Sequence, residues 1–194
     1  MDRHRERGLS SSGGGYHKGD NSMKITRKGA PANHNTFSIP PIRKWIDEHA
    51  FSRSGNLVID PFARTSKLAH ITNDLNPAFD TDYNLDALDF LRIFSDESVD
   101  VVLFDPPYSL RQLKECYNGI GHDLTSHESR YFFSDMRTEI ARVLKPGGIC
   151  LSFGWSTGGI GKKRNMKITD ILIVPHGGNH YDTLCTKEVK ELKE

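Results

Sequence analysis

The hydrophobic residues of the chain fall into short runs that have the length of β-strands. Four of these short apolar runs close on a turn or an acidic residue; they span 56–62, 71–77, 99–108 and 148–155. Between them, residues 85–94 and 131–144 show the spacing of amphipathic helices. Because unbroken apolar strands that alternate with helices are typical of a parallel sheet covered on both faces, the pattern predicts an α/β fold.

Two further patterns lie at the ends of this region. Residues 36–50 predict a helix with Pro40 and Pro41 in its first turn and three apolar side chains on one face, Ile42, Trp45 and Ile46. The apolar runs 170–175 and 182–189 are joined by a Gly-rich loop too short for a helical crossover. We therefore expect these two runs to pair antiparallel at an edge of the sheet.

Composition divides the chain into an arm and a body. Residues 1–30 are almost free of apolar residues and hold seven Lys and Arg against three Asp and Glu, although the whole chain has a net charge of only +1. Such a segment is predicted to be a disordered basic arm, suited to nucleic acid or simply solvated. Residues 31–194 are expected to form a single domain.

No run of 18 apolar residues is present, which excludes a transmembrane helix. The first residues also lack the apolar stretch of a signal peptide, so a cytoplasmic protein of a bacterial or phage-infected cell is expected. The three cysteines, Cys116, Cys150 and Cys185, form no CxxC pattern and are expected to be reduced thiols. The histidines show no zinc-ligand spacing, and no metal is expected.

Acidic residues follow three of the predicted strands, where an open α/β sheet binds its ligands. They are Asp60, Asp74 and Asp105. The last of them begins Asp-Pro-Pro-Tyr, in which two prolines stop the strand abruptly. A structural alternative is that Asp105 caps a helix and the two prolines form a rigid turn.

The Asp-Pro-Pro-Tyr residues suit the modification of a nucleobase amine. Such an amine is a poor nucleophile because its lone pair is delocalised into the ring. Asp105 offers a carboxylate, and Pro106 a carbonyl held stiffly by Pro107; both accept amine hydrogens and favour a pyramidal nitrogen. Tyr108 offers a face for stacking, worth about 1–3 kcal/mol per base. Positioning and electrostatics then suffice for methyl transfer.

Residues 105–108 resemble the catalytic motif of AdoMet-dependent methyltransferases that act on exocyclic amino groups, particularly the N6-adenine DNA enzymes. Residues 58–62 look like the cofactor motif of the same family. The resemblance spans roughly residues 36–190 and is closest in detail to small phage-encoded adenine methylases. It implies a Rossmann-like fold with a mostly parallel seven-stranded sheet, an antiparallel terminal strand and helices on both faces.

The resemblance also implies a set of cofactor-binding residues. Asp60 and Phe62, with Pro61 and Ala63 of the same motif, would lie beneath the methionine part of S-adenosyl-L-methionine. Asp74 would bind the ribose hydroxyls, and its structural alternative is an Asx turn. Asp86 would approach the cofactor's adenine, with a helix N-cap as the alternative. Phe37 would supply the aromatic ring of the family's N-terminal motif, with core packing as the alternative.

One part of the cofactor motif departs from the family. The family reads DPFxGxG, whereas this chain has Ala63, Arg64, Thr65 and Ser66 after its DPF. Asp74 also follows Asp60 by only fourteen residues, which predicts an unusually short helix between the first two strands. Either Arg64 or Ser66 supplies polar contacts in place of the glycines, or the cofactor binds weakly.

Basic residues suggest how DNA is held. The candidates for phosphate contacts are Arg111, the loop residues Lys162, Lys163 and Arg164, and the arm residues Lys24, Arg27 and Lys28. A solvated loop is the alternative for Lys162, Lys163 and Arg164. Residues 109–130 are the main insertion and leave no room for a separate recognition domain. The predicted activity is adenine N6-methylation of DNA on a flipped-out base. The alternatives are methylation of RNA or of a protein amide, and a non-catalytic module that binds the cofactor or DNA.

Overall fold

The computed structural model of the chain describes residues 22–121 and 123–192. They form a seven-stranded sheet in the order β1-β6-β7-β5-β4-β2-β3. In chain order the strands are β1 (Lys24–Arg27), β2 (Val58–Asp60), β3 (Ile71–Thr72), β4 (Val99–Phe104), β5 (Leu144–Gly154), β6 (Met166–Val174) and β7 (Thr183–Lys190).

The helices are α1 (Pro40–Ala50), α2 (Ala87–Arg92), α3 (Leu110–Asn118) and α4 (Ser126–Val143). They cover both faces of the sheet, as predicted. Alternate residues of β4 show this: Val101 and Leu103 pack in the cluster that contains α1, and Val102 and Phe104 pack with α2, α3 and α4. None of the helices in the described parts of the chain is both long and apolar enough to cross a membrane.

The pairing of the strands confirms a mostly parallel sheet with an antiparallel terminal strand. β4 pairs parallel with β2 and β5, whereas β7 pairs antiparallel with both β5 and β6. The prediction that the last two strands pair at an edge is wrong in its position. β7 is inserted between β5 and β6, and β1 covers the outer side of β6.

Strand β1 corrects the predicted boundary of the arm. Residues 24–27 fall inside the segment predicted to be disordered, yet they pair parallel with β6, from Lys24 beside Asp170 to Arg27 beside Ile173. The pattern hid this strand because its residues are largely exposed and its hydrogen bonds go to a partner far along the chain. The rest of the predicted arm, residues 1–21, lies outside the described residues.

Another local prediction is corrected. The short helix expected between β2 and β3 does not form; residues 61–70 are turns and irregular chain. The insertion 109–130 contains α3 and the start of α4. The Ser109 side chain caps α3 by accepting from the Gln112 N–H at 3.2 Å, and Thr125 and Glu128 form a capping box at α4.

Candidate active site

The carboxyl ends of β2, β3 and β4 meet at one edge of the sheet because these strands are neighbours and parallel. A cavity of about 1000 Å³ opens there. It is lined by four stretches of chain that are distant in sequence, 33–38, 61–68, 105–108 and the inner side of α3. Asp74 and Asp105 lie on its wall, so the structure joins two of the three predicted acids in one site.

Asp105 and Tyr108 contact each other directly. The Tyr108 hydroxyl donates to Asp105 Oδ1 at 2.8 Å, and the Thr36 hydroxyl lies 3.4 Å from the same tyrosine oxygen. Gln112 of α3 accepts from the Tyr108 backbone N–H at 2.7 Å. The turn after β4 is therefore held from both sides, with its carboxylate and its aromatic ring facing the cavity.

Burial and hydrogen bonding act on Asp105 in opposite directions. Burial raises the pKa of its carboxyl, while the hydrogen bonds from Tyr108 and Thr36 and the charge of Arg64 hold that pKa down. The pKa of Tyr108 is raised by burial and by the neighbouring Asp105 charge, so the phenol stays protonated and donates. The pair thus presents a carboxylate that is only partly solvated, which strengthens its hydrogen bonds.

Thr36 and Gln112 were missed by sequence reasoning. Thr36 is 72 positions away from Tyr108, and nothing local marks it as a partner of the motif. Gln112 is four residues after the tyrosine. Ser109, the N-cap residue of α3, was a usable signal for a helix that places the Gln112 side chain next to the Tyr108 backbone N–H.

The loop after β2 forms another wall of the cavity. Phe62 lies between Phe104 and Phe132, with ring centroids 6.0 and 6.4 Å away. The buried Asn73 side chain fixes the loop by donating to the Pro61 carbonyl at 3.1 Å, and the Asn73 carbonyl accepts from Ala63 at 2.9 Å. Asn73 is a further residue that the sequence did not single out.

Arg64 occupies the place of a glycine in both sequence and backbone. Its φ of 49° is in the left-handed region, which glycine enters at little cost and other residues rarely adopt. Its guanidinium donates to the His34 carbonyl at 3.2 Å and lies 5.7 Å from the Phe79 ring centroid. Arg64 thus links the loop after β2 to the N-terminal segment across the cavity.

The carboxylate of Asp74 forms the Asx turn that was its structural alternative, yet it still lines the cavity. Oδ1 accepts from the Asn76 N–H at 2.9 Å and Oδ2 from the Arg64 N–H at 3.0 Å. Burial raises its pKa and these two hydrogen bonds oppose the rise. Each oxygen keeps lone pairs beyond the one backbone bond shown, so the turn is compatible with ligand binding.

Asp86 and Phe37 also carry structural roles. Asp86 caps α2, accepting from Leu88 N–H at 2.8 Å, and accepts a further hydrogen bond from the Tyr117 hydroxyl. Phe37 packs 4.9 Å from Phe153 in the core and lines the cavity as well. The structure therefore places both near the site through contacts that also stabilise the fold.

Asp60 is fully buried and has one unsatisfied oxygen. Oδ1 accepts from the Phe62 N–H at 3.0 Å, while Oδ2 has no partner among the residues that the structure describes. Burial raises the pKa of this carboxyl well above its usual range, and the Asp105 and Asp74 charges add to the rise. A buried carboxyl oxygen without a partner is costly, and a bound ligand with a donor is one way to satisfy it.

The predicted DNA contacts lie on different parts of the molecule. Lys162 and Lys163 are exposed in a short turn that directly precedes β6, at the amino end of that strand and so at the edge of the sheet opposite to the cavity. Arg164 instead lies against α4, where its guanidinium donates to the Ser134 carbonyl at 3.1 Å and to the Thr138 hydroxyl at 3.1 Å. Arg111 on α3 is exposed and forms an ion pair with Glu115 at 2.8 Å.

Neither protein-family models nor curated protein sequences give a match to this chain. Among solved structures, TrmN from Thermus thermophilus aligns with 78% of this chain at a TM-score of 0.53 and 19% sequence identity. The chain spans about half the length of TrmN, since the alignment covers 49% of that protein.

Two other solved structures align less well. SMU.776, which was crystallised with SAH, aligns with 76% of this chain and 49% of its own length, at 14% identity and a TM-score of 0.46. The cyclase SpnF aligns with 85% of this chain and 87% of its own length, at 13% identity and a TM-score of 0.47. Together, the strand order and the alignment with TrmN confirm the predicted Rossmann-like methyltransferase fold.

Proposed function

We propose that this chain is an AdoMet-dependent DNA methyltransferase that transfers a methyl group to the exocyclic N6 amine of a flipped-out adenine. The observation that carries the proposal is the Asp105 carboxylate at the end of β4. It lies on the wall of a large cavity, accepts a 2.8 Å hydrogen bond from Tyr108 and precedes the Pro106 carbonyl. A carboxylate, a carbonyl and an aromatic face at one place match the needs of a planar amine.

The lining of the cavity fits S-adenosyl-L-methionine. Its apolar part includes Phe37 and Phe62, and Asp74 adds a carboxylate that suits the ribose hydroxyls. Asp60, which directly precedes the lining residues Pro61 and Phe62, has a carboxyl oxygen that lacks a partner among the described residues. We assign Pro61 and Ala63 to the cavity floor, and the bound cofactor supplies an electrophilic methyl group.

In the proposed reaction, Asp105 and Pro106 act on the target amine. The carboxylate of Asp105 and the carbonyl of Pro106 each accept one amine hydrogen, which draws the nitrogen out of conjugation and frees its lone pair. As the nitrogen takes the methyl group, positive charge would grow on the amine, and the sulfur of the cofactor would keep the electron pair of the carbon–sulfur bond. The Asp105 carboxylate would stabilise the positive charge, and the excess proton would then pass from the nitrogen to water.

Tyr108 and the basic residues hold the substrate in this proposal. The face of Tyr108 stacks on the adenine, while its hydroxyl and Pro107 keep Asp105 in position. Lys162 and Lys163 stay candidates for phosphate contacts because both are exposed cations, but their turn lies at the amino end of β6, away from Asp105, so only DNA that extends well beyond the site reaches them. Arg111 is a weaker candidate because Glu115 already neutralises it, and Arg164 because its guanidinium is bound to α4.

The product tests the function directly. The chain is incubated with labelled AdoMet and, separately, with DNA, RNA and protein, and the DNA is then digested to nucleosides and resolved by mass. We expect N6-methyladenine in the DNA sample. Methylated cytosine without methylated adenine, or label found only in RNA or protein, would overturn the proposal.

Cofactor binding should depend on Asp74 and hardly on Asp105. We expect Asp74→Ala to weaken AdoMet binding by about 10-fold, because it removes the carboxylate that accepts hydrogen bonds from two ribose hydroxyls. Together these hydrogen bonds contribute about 1 kcal/mol or slightly more to the binding free energy. Asp105→Ala should bind AdoMet within about twofold of the wild type, since that carboxylate faces the target base. Calorimetric titration without DNA measures both. An equal loss of affinity in the two variants would contradict this division of the cavity.

A further inference from the structure

Two large aromatic side chains lie exposed just outside the candidate active site. Trp155 directly follows the last residue of β5 and is 43% exposed, and Tyr181, in the loop between β6 and β7, is 73% exposed. Tyr and Trp are enriched at the surfaces through which proteins bind their partners.

These two side chains connect to Tyr108 through their rings. The Trp155 centroid is 5.5 Å from that of Tyr108, with the planes at 71°, and 4.9 Å from that of Tyr181, with the planes at 46°. We call the three residues the aromatic platform. It extends from the tyrosine that contacts Asp105 to the largely exposed Tyr181.

Two basic residues, Arg27 and Lys28, lie on the same carboxyl-end edge of the sheet as the aromatic platform. From β4 the edge passes β5, β7 and β6 to β1, where Lys28 donates its N–H to the Ile173 carbonyl at 2.9 Å. Four strand intervals of about 4.8 Å make a path of about 19 Å from Asp105 to that point. Arg27 and Lys28 are exposed there, and neither forms an ion pair with any residue that the structure describes.

We infer that Trp155 and Tyr181, the exposed part of the aromatic platform, stack an unpaired base adjacent to the target adenine on Tyr108, so that the substrate is single-stranded or locally unpaired DNA. This inference rests on the proposed function and specifies its substrate. Bases within a duplex are stacked on one another and present no face to Trp155 or Tyr181. In a single strand each base exposes its faces, and cations beside the rings attract the phosphates.

Trp155 provides the test, because its ring is the middle of the platform. The probe is a labelled single-stranded oligonucleotide with one adenine, compared with the same oligonucleotide carrying an abasic site next to that adenine. We expect Trp155→Ala to bind the intact probe about 5- to 100-fold more weakly than the wild type. The abasic site should weaken wild-type binding similarly and should have little effect on the variant, since the same contact is already absent.

Three controls separate stacking from damage to the fold. Trp155→Phe keeps a ring and should retain most of the affinity, and Tyr131→Ala removes a comparably exposed ring of α4, 42% exposed, and should bind as the wild type does. AdoMet affinity of Trp155→Ala should be unchanged. The chain has two tryptophans, and the other, Trp45, is only 5% exposed, so quenching of tryptophan emission by the oligonucleotide reports on Trp155.

Equal binding of the intact probe by Trp155→Ala and the wild type would overturn the inference. The inference would also be overturned if the abasic site weakened binding equally in Trp155→Ala and in the wild type. A wild-type protein that binds the matching duplex as tightly as the single strand would overturn it too. Failure of the proposed function gives a different result. Trp155-dependent binding of the single strand without any N6-methyladenine would support the platform and overturn the assigned chemistry.

Discussion

The Asp105→Ala variant is expected to lose methyl transfer by about 10²- to 10⁴-fold, mainly in kcat. The carboxylate is the one ionised acceptor that the turn after β4 presents to the amine, and its influence grows as positive charge develops on the nitrogen. The loss should therefore appear in single-turnover rates at saturating AdoMet and DNA. Measuring N6-methyladenine formation over time provides these rates.

A conservative variant and a surface variant make this result interpretable. Asp105→Asn keeps the shape and one acceptor but removes the charge, so its rate should fall between those of Asp105→Ala and the wild type. Asp135→Ala removes an exposed acid of α4 and should have the wild-type rate. Removal of the buried charge favours the fold of Asp105→Ala, whereas loss of the acceptor for the Tyr108 hydroxyl opposes it, so we expect only a small change in the thermal midpoint. Full activity in Asp105→Ala would exclude the proposed mechanism.

Two Tyr108 variants separate the roles of its ring and its hydroxyl. Tyr108→Ala should lower kcat/KM by about 5- to 100-fold, because a stacked base contributes about 1–3 kcal/mol. Tyr108→Phe keeps the ring and should lose much less activity at neutral pH. Comparing kcat/KM for the two variants on the same oligonucleotide measures the contribution of stacking.

Tyr108→Phe should also change the pH dependence of the reaction. The mechanism needs Asp105 ionised, so activity falls as the pH drops through the pKa of that carboxyl. The Tyr108 hydroxyl donates to the carboxylate and holds this pKa down against the effect of burial. Its removal lets the pKa rise, and the acidic limb of the kcat/KM profile should move to higher pH. An acidic limb at the same or a lower pH would show that this hydrogen bond does not tune Asp105.

Much of the fold was readable from the sequence because its strongest signals are local. β4 is an apolar run stopped by two prolines, and α4 has an amphipathic pattern that ends where β5 begins. The alternation of strand and helix was enough to predict a covered parallel sheet. Asp105, at the end of such a strand, could be assigned to the site before any contact was known.

Weak local signals explain which elements the sequence missed or misplaced. β1 has a single strongly apolar residue, Ile25, which is 58% exposed, so no buried pattern marks it. α3 buries only Leu113 and Tyr117, which are one helical turn apart, and the whole helix lies inside residues 109–130, which the sequence marks only as an insertion. The place of β7 between β5 and β6 is a matter of strand order, which the alternation of apolar residues does not encode.

The sequence by itself determined which chemical groups stand at the ends of the strands, because composition and proline placement are properties of a short stretch. Only the tertiary structure decided which groups face them. Thr36 beside Tyr108, Arg64 against the His34 carbonyl and Trp155 against Tyr181 are separated by tens of residues in the chain. Such contacts follow from the order and register of strands across the sheet. These arise from long-range backbone hydrogen bonds and shared burial, and no local pattern specifies them.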